Sequence, residues 1–199
     1  MNETLRYYDR NAEYFVQETW GIDFAETQEK FIRLLPKGGK ILDFGCGSGR
    51  DAFYFANKGF AVDAVDGSKE MCRLAGKHDG IRVRQMLFSE LDASGAYDGI
   101  WACASILHLP STELKPVMLK MRQALKNGGW VYLSFKYGKF EGLRNGRYFT
   151  DFEEKSFEAY VSDIRGMNLK EAWITGDVRP GRGDEKWLNL ILQRSDMSW

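Results

Sequence analysis

The stretch from Lys40 to Asp51, Lys-Ile-Leu-Asp-Phe-Gly-Cys-Gly-Ser-Gly-Arg-Asp, constrains this chain more than any other. It opens as a short apolar run, which reads as a buried strand. Glycines then fall at alternate positions, Gly45, Gly47 and Gly49. Ala52, Phe53, Phe55 and Ala56 follow at helical spacing, and Gly59 supplies a stop signal. The order is therefore strand, glycine turn, helix. Glycine serves such a turn in two ways. It reaches positive φ at no steric cost, and it lets a ligand touch the backbone. The N–H groups that open the helix lack helical partners, and they favour an anionic ligand group.

A second strand, Phe60 to Asp66, ends in a carboxylate. Asp66 lies 66 − 45 = 21 residues beyond Gly45. That matches the ~20-residue spacing at which an acid meets ribose hydroxyls in a β-α-β unit. The glycine spacing here is G-x-G-x-G, preceded by Asp43, whereas the dinucleotide fingerprint is G-x-G-x-x-G. Leu42-Asp43-Phe44-Gly45-Cys46-Gly47-Ser48-Gly49-Arg50 resembles the first motif of class I S-adenosylmethionine-dependent methyltransferases. Asp66-Gly67-Ser68, with Met71 beyond it, is similar to the acidic ribose-binding turn of that family. The strand Tyr97-Asp98-Gly99-Ile100 and the turn Leu125 to Gly129 resemble its later motifs. The resemblance covers roughly residues 30 to 195, and its first two motifs are the specific ones. Within the family this chain is similar to a bacterial small-molecule branch, which includes tellurite-resistance and quinone-biosynthesis methyltransferases.

Composition sets the outer bounds. A chain of 199 residues holds one sizeable core and little more. Its 28 basic and 28 acidic side chains cancel, which argues against a dedicated nucleic-acid binder. There is no apolar run long enough to span a bilayer and no N-terminal signal region, so a cytoplasmic protein is expected. Three cysteines and two widely separated histidines match no metal or disulfide spacing, so no metal is expected. Cys46 and Cys103 read as small buried hydrophobes.

Helical spacing predicts helices over residues 4–19 and from Ala25 to Leu35, ahead of the first strand. Ser68 predicts the cap of a helix through Ala75, and Ser111 or Thr112 the cap of one through Leu125. Further strands are predicted at Ile81–Gln85, Tyr97–Cys103 and Trp130–Phe135. Lys136 to Thr150 reads as a long loop rich in glycine, aromatic and basic residues. Thr150 or Asp151 then caps a helix to about Ile164, and two strands, 169–177 and 185–194, form an antiparallel pair before a frayed tail at 195–199. The alternation implies a mostly parallel sheet with helices on both faces. The resemblance completes it as an α/β, Rossmann-like, seven-stranded sheet with one antiparallel strand. One domain is expected over 1–199, with a helical cap at 1–36 and a Rossmann-like core at 37–195.

In such a sheet a ligand binds outside the carboxyl ends of the strands. The resemblance then implies S-adenosylmethionine as cofactor. Gly45, Cys46, Gly47 and Gly49 would hold its amino-acid part, and Asp66 its ribose. Asp43 and Arg50 either order the turn or meet charged ends. Gly67 and Ala102 lie at strand ends facing the site, and Met71 either lines the adenine or packs in the core. The family often places Gly-Asp after the third strand. Here Met86-Leu87-Phe88 stands there, so either this backbone binds the adenine edge or Glu90 or Asp92 replaces the acid. On the acceptor side the candidates are His108, Lys136, Tyr137 and Arg147, with Tyr7, Tyr8, Trp20 and Tyr148 as further possibilities. His108 either takes part in proton transfer or braces the following helix. Lys136 and Arg147 are expected to reach one bound anion across a lid formed by the 136–150 loop. The expected activity is methyl transfer to a small, anionic molecule by a monomer or homodimer. The alternatives are a tRNA or other nucleic-acid methyltransferase, a nicotinamide oxidoreductase, which the glycine spacing disfavours, and a non-catalytic cofactor-binding subunit.

Overall fold

The computed structural model describes residues 3–195. Two helices lead, α1 (Glu3–Thr19) and α2 (Ala25–Ile32). The glycine turn joins β1 (Lys40–Phe44) to α3 (Arg50–Asn57), and β2 (Ala61–Asp66), α4 (Lys69–Ala75) and β3 (Arg82–Gln85) follow. The second half holds β4 (Tyr97–Ala102), α5 (Ser111–Ala124), β5 (Leu125–Lys136), β6 (Glu141–Arg144), β7 (Arg147–Thr150), α6 (Glu154–Ser162), β8 (Met167–Gly176) and β9 (Lys186–Arg194).

Seven strands form one sheet in the order β3-β2-β1-β4-β5-β9-β8. Neighbours from β3 to β5 pair parallel, and β9 is antiparallel to both β5 and β8. This is the Rossmann-like class I methyltransferase sheet that the sequence predicts, with β9 as its antiparallel strand. The central strands are covered on both faces, which is why they read as continuous apolar runs rather than alternating ones. Leu42, Phe44, Ile100, Val131 and Leu133 belong to one buried cluster, while Ile41, Ala64, Trp101, Tyr132 and Ile191 belong to the other. In the second cluster Trp101 stacks on Tyr132 at 4.0 Å between ring centroids.

That aromatic cluster encloses one polar knot. The Asp51 carboxylate accepts from Trp101 Nε1 at 2.8 Å, Gln28 Nε2 at 2.7 Å and Arg50 Nε at 2.7 Å. These bonds tie α2, α3 and β4 together behind the glycine turn. Each buried charge-assisted bond of this kind stabilises by ~1.5–3 kcal/mol.

Several boundaries differ from the sequence expectation. Lys136 to Thr150 is no open loop. β6 and β7 pair there as an antiparallel hairpin, turning at Asn145 and Gly146, both with positive φ. Asn-Gly is a two-residue hairpin signal, because both central positions need φ > 0. The cap position of α6 is Glu153, two residues beyond Asp151, because Asp151 is committed to Arg144 instead. Pro110, not Ser111 or Thr112, precedes α5. β5 starts at Leu125, where it pairs with Tyr97, and the ladder shifts register before Gly99 pairs with Trp130. Residues 196–199 of the expected frayed tail lie outside the described residues. Among the described residues no helix is long and apolar enough to cross a membrane.

Candidate active site

A cavity of about 1020 Å³ opens at the carboxyl ends of the parallel strands. It is large enough for a nucleoside-sized ligand and a second small molecule together. Its floor is the glycine turn. Gly45 and Cys46 donate their N–H groups to the Val65 carbonyl at 2.8 and 2.9 Å, which fastens the turn to the end of β2. Asp66 stands beside it. One carboxylate oxygen accepts from Gly47 N–H at 2.9 Å and the other from Ser68 N–H at 2.8 Å. Each oxygen thus keeps accepting capacity for one further donor, the arrangement a vicinal diol requires. Burial, with Asp9 nearby, raises Asp66 above the usual carboxylate range, while the Ser68 and Gly47 bonds pull it back.

α1 crosses the cavity. Its Thr4 hydroxyl accepts from Tyr148 N–H at 2.9 Å on β7, and its Asp9 accepts from Ser68 Oγ at 2.6 Å beside α4. Tyr8 points in from the same helix and meets His108 Nε2 at 2.8 Å. His108 Nδ1 lies 2.6 Å from the Tyr148 carbonyl oxygen. A carbonyl only accepts, so Nδ1 carries the proton and Nε2 accepts from the Tyr8 hydroxyl. Burial, and then the Arg147 charge, hold His108 down at about 4.

Arg147, on β7, completes this group. Its guanidinium lies 4.6 Å from the Tyr7 ring centre and 5.1 Å from that of Phe149, and Nη1 donates to Tyr8 Oη at 3.4 Å. Its Nε–H is buried and has no partner among the described residues. Of the four basic side chains between 136 and 147, the other three are neutralised by carboxylates. Lys136 bridges Asp177 and Glu185, Lys139 reaches Glu153, and Arg144 holds Asp151.

Known proteins agree with this geometry. A family model for a methyltransferase domain matches residues 41–129. The chain is 37% identical over 107 residues to the sarcosine/dimethylglycine N-methyltransferase of Aphanothece halophytica, covering 49% of this chain and 38% of that protein. It is 29% identical over 182 residues to phosphoethanolamine N-methyltransferase 1 of Zea mays, covering 86% of this chain and 35% of that one. The chain therefore spans little more than a third of the length of these two relatives. The 1,6-didemethyltoxoflavin-N1-methyltransferase of Burkholderia thailandensis, solved with its acceptor and S-adenosylhomocysteine bound, shares the fold at a TM-score of 0.76 and 20% identity, covering 96% of this chain and 85% of that one.

Residues 41–129 thus match a methyltransferase domain, and the fold is the Rossmann-like one of class I S-adenosylmethionine-dependent methyltransferases. S-adenosylmethionine is the cofactor that goes with this domain and fold, and the residues present fit it. Gly47 has φ +51°, and a Cβ there would project into a space bounded only by Phe15 at 3.6 Å. The backbone is therefore open to a ligand on that side, next to the spare lone pairs of Asp66.

Of the expected cofactor residues, Gly45, Cys46, Gly47 and Arg50 line the cavity, as do Asp66, Gly67, Met71, Leu87 and Phe88. Asp43, Gly49 and Ala102 do not, and three different causes remove them. Asp43 is 2% exposed beneath the turn, where burial and then Asp51 push it well above the usual carboxylate range. It props the turn from behind. Gly49 has φ +81°, and a Cβ there would meet Ala75 Cβ at 3.0 Å, so this glycine serves the packing of α3 on α4. Ala102 is fully buried in the sheet core. Glu90 accepts from Leu87 N–H at 2.8 Å, which commits both, and Asp92 is exposed away from the cavity wall.

His108, Lys136, Tyr137, Arg147 and Tyr8 all line the cavity. The expected pairing of Lys136 with Arg147 on one anion is not what the structure presents, because the two acids bridged by Lys136 already cancel its charge. Trp20 stacks on His78 at 3.8 Å, away from the main cavity. Tyr7 supports Arg147 from behind, and the Tyr148 hydroxyl turns to Glu141. Sequence reasoning missed the 177–185 segment between β8 and β9, from which Asp177 and Arg179 line the cavity. The signal was available, since a strand parallel to β5 must end at the ligand edge. Ala104 belongs to the strand end at 102–105, which sequence reasoning does place at the ligand edge. It holds φ +49° on the cavity wall, with its N–H donated to Ser134 Oγ at 2.8 Å, and a non-glycine residue at positive φ is a mark of functional sites.

Proposed function

We propose that this protein transfers the methyl group of S-adenosylmethionine to a small molecule that carries a negative group. The observation that carries this is one continuous cavity with Asp66 and the glycine turn at one end and, at the other, Arg147, a half-buried cation with no carboxylate partner among the described residues. Tyr8 lies between them, within electrostatic reach of Asp66 on one side and Arg147 and Arg179 on the other. Gly45 to Gly47 hold the amino-acid part of the cofactor, Asp66 accepts from its ribose hydroxyls, and Gly67, Met71, Leu87 and Phe88 flank its base. The bound cofactor supplies an electrophilic methyl group on a sulfonium.

The chain's own work is then alignment and exclusion of water. Arg147 holds the acceptor's anionic group, with its planar fork suited to two oxygens. His108 fixes the Tyr8 hydroxyl through one hydrogen bond and is itself fixed by the Tyr148 carbonyl. α1 and the β6–β7 hairpin close the site from above as one cap, bonded to each other through Thr4 and Tyr148. Residues 1–36 act in this reading as a cap on a single core spanning 37–195. Zero formal net charge supports a small-molecule acceptor over a nucleic acid.

Calorimetry with S-adenosylhomocysteine, followed by release of that product in the presence of small anionic acceptors, tests the proposal. Binding is expected in wild-type protein and in Arg147→Ala. Turnover is expected to fall at least tenfold in Arg147→Ala, more for anionic acceptors than for neutral analogues. Absence of binding, or equal turnover by the variant, would refute it.

A further inference from the structure

The acceptor end of the cavity holds more cations than it offers to a ligand. Lys136 lies between Asp177, at 3.2 Å, and Glu185, and Arg179 grips the same Asp177 at 2.8 and 2.5 Å. Two cations and two carboxylates cancel on that wall. Arg182 and Lys186 also reach it, but both are exposed to solvent. Lys120 belongs to α5 instead, and it donates to the Leu91 carbonyl at 3.2 Å.

The β6–β7 hairpin brings a second pair of cations together. Arg144 and Arg147 are partners across the turn, and their guanidiniums lie 4.8 and 5.1 Å from the centre of one ring, that of Phe149. Only one of the two is cancelled. Asp151 follows β7, lines the cavity and accepts from Arg144 Nη2 at 2.6 Å. Its side chain is 6% exposed, and its other oxygen, Oδ1, is buried without a partner among the described residues. Burial raises Asp151 above the usual carboxylate range, while Arg144 and then Lys136 pull it back. A buried carboxylate with one oxygen unpaired is costly to keep. Closure of the hairpin does not require it, because the backbone N–H of Asp151, not its side chain, bonds the Phe140 carbonyl at 2.8 Å. What the carboxylate does is remove the charge of Arg144 from the site.

We infer that Asp151 sets the charge of the acceptor that this site takes: by holding Arg144 it leaves Arg147 alone to meet the ligand, so that a monoanion such as a carboxylate is admitted in preference to a dianion such as a phosphate monoester. This rests on the reading of Arg147 as the anion-binding residue given above, and it names the specificity-determining residue of that site. The guanidinium fork meets both oxygens of a carboxylate, and the two charges cancel. A phosphate monoester brings a second negative charge. No second free cation stands on the hairpin to meet it, and the half-paired carboxylate of Asp151 repels it. Asp151 acts through Arg144, so its removal should widen the choice of anion rather than abolish binding.

Phenylacetate and phenyl phosphate test this, since they match in shape and carry one and two charges at about pH 8. Each is titrated by calorimetry into protein saturated with S-adenosylhomocysteine. The wild type should bind phenylacetate the more tightly. Asp151→Asn keeps the shape and an oxygen for Arg144 but frees its charge. Phenyl phosphate should then bind at least about tenfold tighter, the scale of one added unit charge in a half-buried site, with a smaller gain for phenylacetate. Adding Arg144→Gln to Asp151→Asn returns the hairpin to one cation and should restore the wild-type preference, which a merely structural role for Asp151 would not do. Arg144→Gln alone turns the Asp151 charge against Arg147, so both probes should weaken by about tenfold or more. Affinity for S-adenosylhomocysteine should be the same in all four proteins. A wild type that favours phenyl phosphate, an unchanged ratio of the two affinities in Asp151→Asn, or a double variant that keeps the preference of the single one overturns the inference. So does a wild type that binds S-adenosylhomocysteine but neither probe. Failure to bind S-adenosylhomocysteine at all would instead remove the methyltransferase reading itself.

Discussion

Gly45 and Gly47 stand two residues apart in the same turn, and the structure assigns them opposite costs on substitution. Both hold positive φ, +92° and +51°. An alanine in left-handed backbone costs ~1–2 kcal/mol at either position. The surroundings then separate them. A Cβ at Gly45 would lie 2.3 Å from Ser105 Cβ and 3.0 Å from its Oγ, well inside contact distance. Ser105 is 6% exposed, and its hydroxyl donates to the Phe44 carbonyl at 2.6 Å. It cannot swing aside without leaving that carbonyl unpaired, so overpacking adds ~1–3 kcal/mol and the lost bond ~1 kcal/mol. Gly45→Ala should therefore destabilise by about 3–6 kcal/mol. Gly47→Ala should cost only about 1–2 kcal/mol, since its Cβ meets Phe15 at an ordinary 3.6 Å. Urea unfolding followed by circular dichroism measures both. Ser105→Gly removes the clashing atom, so in the Gly45→Ala background it should restore the overpacking share, while in the Gly47→Ala background it should only destabilise further. Equal midpoints for the two alanine variants, or no rescue by Ser105→Gly, would refute the assignment of Gly45 to packing against Ser105.

Asp66→Asn should weaken S-adenosylhomocysteine binding by about 1.5–3 kcal/mol, measured by calorimetry, because a charge-assisted acceptor is lost. In the wild type the same affinity should fall as pH drops through the raised pKa of Asp66, so the loss begins above the ordinary carboxylate range. Trp101→Phe deletes the indole N–H that donates to buried Asp51 and should lower stability by about 2–3 kcal/mol in urea unfolding, with little change in acceptor preference. Asp177 is the reverse case to Asp66: its bonds from Arg179 and Trp187 outweigh burial and hold it well below the usual range. Its contribution is present above the unfolded carboxylate pKa and is lost as pH falls through the folded one. The stability gap between wild type and Asp177→Asn should accordingly be open at neutral pH and close in strong acid, as read by thermal unfolding at stepped pH.

Much of the cofactor end was legible in the sequence because it is built from neighbours. Strand, glycine turn, helix, next strand and terminal acid lie within one β-α-β unit, and each step depends on residues a few positions away. Local chemistry sets the positive φ at Gly45, Gly47 and Gly49 and the Ser68 cap on α4, whose hydroxyl accepts from Met71 N–H at 3.1 Å. The hairpin at 136–150 was encoded too, in Asn145-Gly146, although the surrounding glycines and aromatics read as an open loop.

Tertiary structure alone decided which members of that local pattern face a ligand. Three glycines of one kind separate into a packing contact with Ser105, an open wall at Gly47 and a helix contact with Ala75, because only the fold says what stands opposite each Cβ position. The acceptor end depends on distance along the chain still more strongly. Tyr8 meets His108 across 100 residues and Arg147 across 139, and no period or spacing can announce such a meeting. Electrostatics completes the division. Lys136 and Arg147 are alike in sequence, but Asp177, 41 residues downstream, together with Glu185, cancels the first. The second is left charged among aromatic rings, because a charge acts according to its neighbours in space.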